Sequence, residues 1–111
     1  MKEVIIDFMS YLGVSTKYEG YKYMIDVTLM INRNFKRNEK LLLTDLYKRI
    51  AKKFNISYKC VEKNIRTCIE GLFKNGNIIH INEVFENISY YYDDRPSNKL
   101  FFTTIINYLN K

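Results

Sequence analysis

One stretch, residues 55–76, decides the fold, and it reads NISYKCVEKNIRTCIEGLFKNG. Its apolar side chains recur at the spacing of one helical face: Val61, Ile65, Cys68, Ile69, Leu72 and Phe73. Ser57 is expected to be the N-cap of this helix, and Gly76 its C-terminal stop. At about 100° per residue, other side chains gather on the opposite side: Lys59, Lys63, Arg66 and Glu70. The stretch predicts an amphipathic helix with a cationic outer face.

A shorter helix is predicted immediately before this one, with Thr44 as its cap and Phe54 near its end. Its inner face holds Leu46, Tyr47, Ile50 and Phe54. Asn55 is expected to end it in left-handed backbone, which leaves a three-residue turn before the next helix. Residues 44–75 therefore have the pattern of a helix-turn-helix, in which the second helix enters the DNA major groove.

The rest of the chain adds four more predicted helices. They span about Val4 to Leu12, Glu19 to Asn34, Ile81 to Glu86, and Ser97 to Leu109. Val4 and Leu100 are counted among their inward-facing residues. The segment FKRNEK is predicted to be a polar connection, and no repeat or linker divides the chain. We expect one all-α domain over 1–111, a six-helix bundle related to winged-helix folds but without a clear wing.

Positive charge is concentrated in the middle of the chain. The 111 residues carry 18 lysines and arginines and 12 acidic residues, a formal net charge of +6. Residues 33–66 hold eleven of those cations against three acidic residues, whereas the remainder is slightly acidic. This concentration of positive charge is typical of a surface that binds a polyanion, although a solvated lysine-rich surface would show the same charge distribution.

Cysteine, histidine and acidic residues give no pattern typical of a metal site or an enzyme. Cys60 and Cys68 would lie about 12 Å apart along one helix, too far for a disulfide, which favours a reducing, cytoplasmic setting. His80 is the only histidine, and no zinc-type spacing accompanies it, so no metal, cofactor or small-molecule ligand is expected. Asp93 and Asp94 are predicted to form a solvated turn without an accompanying nucleophile, so no catalysis is expected.

The N-terminal segment MKEVIIDFMSYLG is apolar but short. It carries Glu3 and Asp7, which a signal peptide or a membrane span would exclude. No membrane partner is expected.

Candidate DNA contacts follow from the helix-turn-helix pattern. The first turns of the second helix are expected to reach base edges, while flanking cations meet phosphates. The predicted base readers are Ser57, Tyr58, Lys59, Cys60, Lys63 and Asn64. The predicted phosphate contacts are Lys48, Arg49, Lys52, Lys53 and Arg66.

Three segments in order resemble the DNA-binding effector domain of the sporulation master response regulator of endospore-forming Firmicutes. They are YLGVSTKYEGYKYMIDVTLMI, IAKKFNISYKCVEKNIRTCIEGLFKNGNI and RPSNKLFFTTIINYL, which together cover nearly the whole chain. The resemblance implies a six-helix domain that recognises a short DNA box, often in tandem copies on which two domains would pair. It implies a sequence-specific transcriptional regulator, with the RNA polymerase sigma subunit as a further partner.

The resemblance also assigns residues. Glu62, Lys63 and Arg66 match recognition-helix positions that contact DNA in the family, with Lys63 in place of an arginine. Cys60 stands where a base-reading arginine is expected, and a thiol cannot make the bidentate contact to guanine that is worth about 1–3 kcal/mol. The family's own box is therefore not assured as the target. Because the first helix starts near Met1, no receiver domain and no regulation by phosphorylation of this chain are expected.

Several alternatives stay open at this point. The chain could be a degenerate effector domain that binds the full regulator or RNA polymerase without reading DNA. Cys60 is either a redox-sensitive thiol or a tolerated small residue, and His80 either a pH switch or a structural residue. The tyrosines at 90–92 would pack on the last helix or else stack on bases or a partner.

Overall fold

The computed structural model describes residues 1–36, 42–85 and 95–111, and these form a helical bundle. Its helices are α1 (Lys2–Leu12), α2 (Gly20–Lys36), α3 (Leu43–Phe54), α4 (Tyr58–Asn75), α5 (Ile78–Val84) and α6 (Asn98–Leu109). The described residues include no strand, so the all-α prediction is confirmed. None of the described helices combines the length and apolar character needed to cross a bilayer. The predictions for the tyrosines at 90–92 and for the acidic pair at 93–94 concern residues outside the described part of the chain.

Helix α4 lies at the centre of the bundle. It packs most extensively against α2 and α3 and also touches α5 and α6. The predicted apolar face is the buried one, since Val61, Ile65, Cys68, Ile69 and Leu72 are each at most 1% exposed. Burial of a side chain of this size contributes about 1.5–3 kcal/mol, so this face anchors the helix firmly.

Glycine permits two close approaches to α4. A Cβ added at Gly20, the first residue of α2, would overlap the backbone carbonyl of Asn64 and crowd the amide of Ile65. A Cβ added at Gly71 would instead overlap the ring of Tyr18. The first neighbour is rigid helix backbone and the second is the end of a side chain, so only the first approach is fixed by the fold.

Helix α5 is tied to two neighbouring helices by side chains. The Glu83 carboxylate accepts hydrogen bonds from the hydroxyls of Tyr11 on α1 and Tyr108 on α6, the latter at 2.7 Å. His80 stacks on the Tyr11 ring, with centroids 3.7 Å apart, and its Nδ1 lies 2.7 Å from the Tyr11 carbonyl oxygen. His80 is thus partly buried and has a structural role, which was the second of the two alternatives for this residue.

Helix boundaries differ from the predictions at several places. Helix α1 begins at Lys2 rather than Val4, and α2 continues to Lys36, two residues into the segment predicted to be a polar connection. Thr44 does not cap α3, because the helix already begins at Leu43, and its N-cap, Leu42, makes no side-chain cap bond. Helix α5 begins three residues earlier than predicted, because the side chain of Asn77 accepts a hydrogen bond from the His80 N–H and caps it. Glu86, the predicted end of α5, lies outside the described residues.

Two predicted core residues are exposed. Val4 is 52% exposed and Leu100 is 47% exposed, whereas Phe102, which the prediction left out, is 1% exposed. On both α1 and α6 the buried stripe is narrower than the set of apolar residues. Helical periodicity alone therefore does not show which apolar residues at the edge of the stripe are buried. The helix ends at Gly13, Asn55 and Ser97 are as predicted.

Replacing Gly20 with alanine is expected to destabilise the domain by more than about 2 kcal/mol, because the added methyl meets the α4 backbone, which cannot move aside. Gly71→Ala is the matched control. There a flexible ring can shift, and the gain of about 1 kcal/mol in helix propensity opposes the clash. Urea denaturation followed by circular dichroism measures both, and equal losses would contradict this account of Gly20.

A charge-removing substitution at Glu83 should give a pH-dependent loss of stability. The hydrogen bonds from Tyr11 and Tyr108 lower the pKa of Glu83 below its ordinary value of 4.5. A carboxyl group whose pKa is lower in the folded than in the unfolded state stabilises the fold at pH values above its unfolded-state pKa. This stabilisation is lost as the pH falls through the folded-state pKa. Glu83→Gln should therefore lower the Tm near pH 7, and the gap in Tm to the wild type should close as the pH falls below 4.5.

Tyr108→Phe removes one of the two donors and should reproduce part of this behaviour. A gap in Tm between wild type and Glu83→Gln that stays constant across the acid range would contradict the role of the Glu83 charge.

Candidate nucleic-acid interface

The turn between α3 and α4 is built by two local devices. Asn55 adopts left-handed backbone at φ 55°, and the next amide, of Ile56, donates to the Ala51 carbonyl at 3.0 Å. Asparagine tolerates this conformation better than most residues. The Ser57 hydroxyl then accepts a hydrogen bond from the Cys60 N–H at 3.1 Å and starts α4. The three-residue turn and the Ser57 cap are therefore as predicted.

The outer face of α4 is cationic and open to solvent. Lys59, Lys63 and Arg66 are exposed, on the side of the helix opposite to its buried face. The helix runs without a break through Cys60, which is exposed and free, while Cys68 is buried and free. Burial raises the pKa of the Cys68 thiol to about 12, so this cysteine is an inert core residue.

Not all of the predicted base readers are exposed, and some already have structural partners. Asn64 donates from Nδ2 to the Cys60 carbonyl oxygen at 2.8 Å, and the same nitrogen is 3.2 Å from the Cys60 sulfur. The Ser57 oxygen caps the helix, while its hydroxyl proton can still be donated. Glu62, Lys59 and Lys63 are exposed and extend from the same first turns.

Tyr58 links the two helices of the motif. It is half-buried, and the Lys48 ammonium of α3 lies 5.4 Å from the centroid of its ring. A cation over an aromatic face at an exposed site is worth about 0.5–1 kcal/mol. One predicted base reader and one predicted phosphate contact are thereby held next to each other.

The remaining predicted phosphate contacts are exposed but not equivalent. Arg49 and Lys52 extend from the solvent side of α3. Lys53 pairs with Asp26 of α2, with Nζ 2.9 Å from Oδ2, and Arg66 lies 3.6 Å from Glu70 through its Nε. Exposed pairs are worth at most about 1 kcal/mol, so phosphate can compete for both cations.

Two cationic residues beside this face were missed by the sequence reasoning. Arg95 reaches across to Glu70 of α4, with Nη2 2.8 Å from Oε1, and Lys99 is exposed in the first turn of α6. Both lie at least 20 residues beyond Asn75, the last residue of the recognition helix, so no local period signals their proximity. Among the cations of residues 33–66, Arg37 and Lys40 lie outside the described part of the chain.

Within the described residues, no three histidine, cysteine or acidic side chains are grouped so that they could hold an ion. The chemistry available is charge and hydrogen bonding on a convex helical surface. That surface suits a groove of a polyanion.

These features define a class of protein. A helical bundle that anchors a helix-turn-helix and turns the cationic side of its second helix outward is a DNA-binding regulatory domain. The comparison with protein families is specific. The family model described as "Sporulation initiation factor Spo0A C terminal" matches residues 5–109, and the chain belongs to this family.

The family membership confirms the general role that the sequence predicted. The family is a DNA-binding domain of a sporulation regulator and not an enzyme family, and the Spo0A C-terminal domain binds DNA at 0A boxes. DNA binding and regulation of transcription are therefore the general role of the family to which this chain belongs.

The Ser57 cap can be separated from any contact that Ser57 makes with DNA. Ser57→Ala should cost about 1 kcal/mol of folding stability, because the Cys60 N–H loses its acceptor. Ser57→Asn, which keeps a capping oxygen, should retain most of that stability. Thermal unfolding of the two variants checks the prediction, and equal stability of Ser57→Ala and the wild type would contradict it.

Proposed function

We propose that this domain reads specific DNA sequences by placing α4, the recognition helix, in the major groove. The observation that carries the proposal is the outward orientation of Lys59, Lys63 and Arg66 on a helix whose other side is fully buried. A helix with its side chains is about 10–12 Å wide, which fits the groove width of about 12 Å.

The roles divide along the motif. The base readers are the residues of the turn and first helical turns: Ser57, Tyr58, Lys59, Cys60, Glu62, Lys63 and Asn64. The phosphate contacts are the cations around them: Lys48, Arg49, Lys52, Lys53 and Arg66. Supporting this division, the phosphate set extends over both helices of the motif, whereas the readers lie together at the start of α4.

Cys60 is an unusual residue for the recognition of a base pair. Its exposed sulfur can make an apolar contact, such as with the thymine methyl group, but it cannot form the forked contact of an arginine to guanine. Lys59 and Lys63 supply charge on either side without a planar fork. We therefore propose a target that differs from the 0A box at the base pair facing Cys60.

The partner predictions rest on the resemblance alone. Pairing of two domains on tandem boxes and contact with the RNA polymerase sigma subunit stay predictions.

A second candidate function is a protein-interaction module that no longer reads DNA. The observation that favours it is the pair Ile78 and Ile79 on α5, which are 57% and 75% exposed. Adjacent exposed apolar residues are typical of a surface that a protein partner covers. In this reading the partner would be the full regulator or RNA polymerase.

Selection of bound duplexes from a random pool distinguishes the two. Enrichment of a motif supports DNA reading, and recovery of no motif alongside retained partner binding supports the interaction module. Replacing Lys63 and Arg66 with alanine should weaken binding to all duplexes and, because Arg66 is the phosphate contact of the two, reduce the slope of log K against log salt by about 1. Cys60→Arg should instead change the enriched motif.

Lys2→Ala, at an exposed position of α1, is the control for the loss of a surface cation. A gel-shift series in which the double alanine variant binds like Lys2→Ala at every salt concentration would contradict the proposed interface.

A further inference from the structure

A cleft of about 520 Å³ lies between α3, α4 and the first turn of α6. One wall is formed by Glu62 and Arg66, so the cleft opens directly beside the outer face of the recognition helix. The facing wall includes Arg95, Ser97 and Lys99, which belong to neither of the two predicted sets of DNA contacts. The cleft thus extends the candidate interface beyond the helix-turn-helix.

Charge at the cleft is mixed: among the described residues, the lining together with Glu70 carries three cations and two carboxylates. Arg66, Arg95 and Lys99 line it, and the Glu70 carboxylate lies behind the two arginines, 3.6 Å from one and 2.8 Å from the other. With Glu62, two carboxylates offset three cations. An excess of one positive charge matches a phosphodiester, which carries one negative charge, better than it matches a free phosphate dianion.

The first turn of α6 is held rigidly against the motif. Asn98 donates from Nδ2 to the Tyr47 hydroxyl at 3.0 Å and approaches the Glu62 carbonyl oxygen at 3.4 Å. Tyr47 is 2% exposed, and burial raises its pKa to about 12, so its hydroxyl stays protonated and neutral. Lys99, the next residue, therefore extends from a fixed backbone beside α4.

We propose that this cleft binds the sugar-phosphate backbone of one strand of the duplex, with Lys99 and Arg66 contacting the same stretch of phosphates. The inference rests on the proposed function, since it places the strand along a helix that fills the major groove. A helix about as wide as the groove leaves the two backbones along its flanks. On the flank of Glu62 and Arg66 the adjoining protein surface is this cleft.

Lys99→Ala tests the proposal. Loss of one phosphate contact should weaken binding to specific and random duplexes by the same several-fold factor and reduce the salt slope by about 1. Lys99→Arg should keep the wild-type slope, and Lys2→Ala, which lies on α1 and outside the motif, serves as the control for net charge. If the wild-type domain binds DNA and Lys99→Ala leaves the salt slope unchanged, the proposal is overturned.

Amide chemical shifts separate this inference from the proposed function. Addition of a duplex should shift the amides of Lys59 and Lys63 together with those of Asn98 and Lys99. If only the α4 amides shift, the cleft proposal fails and the proposed function stands. If none shift, the proposed function fails and the cleft proposal fails with it.

Inorganic phosphate distinguishes the two sources of the anion. The same titration with phosphate at physiological salt should leave Asn98 and Lys99 nearly unmoved, because the cleft offers a single excess charge. Saturable shifts at these two amides with phosphate but not with the duplex would assign the cleft to a free anion and overturn the backbone assignment.

Discussion

The burial of one face of α4 is the constraint on which the rest of the structure depends. Val61, Ile65 and Ile69 are fully enclosed, and the start of α2 approaches so closely at Gly20 that no side chain fits between it and the α4 backbone. A helix clamped in this way cannot rotate about its axis. Its other face is thereby committed to solvent, and the cations on that face are presented in a fixed order.

Polar side chains around this face have two different roles. Ser57 and Asn55 shape the turn, while Asn64 hydrogen bonds within α4, so these residues hold the helix in place before any DNA arrives. Lys59 and Lys63 extend freely into solvent. An interface whose backbone is already ordered has less conformational entropy to lose on binding, which leaves more of the contact energy for affinity.

Much of the fold was predictable because its local signals agree with one another. The buried face of α4, the left-handed Asn55 and the Ser57 cap follow from period and residue type. The errors have a common cause. Thr44, Val4 and Leu100 each fit a local pattern, but the start of a helix and the edge of a buried stripe are set by neighbouring elements. The early start of α5 follows from the Asn77 cap, a signal that was present in the sequence and was overlooked.

By itself the sequence determined the family, the helix-turn-helix and the charge of its outer face, because each follows from short motifs whose residues are neighbours in the chain. Only the tertiary structure decided which cations have partners, such as Lys53 with Asp26, and which distant residues lie beside the recognition helix, such as Arg95 and Lys99. Those relations depend on how α2 and α6 pack against the motif. Packing across tens of residues leaves no period in the sequence from which it could be read.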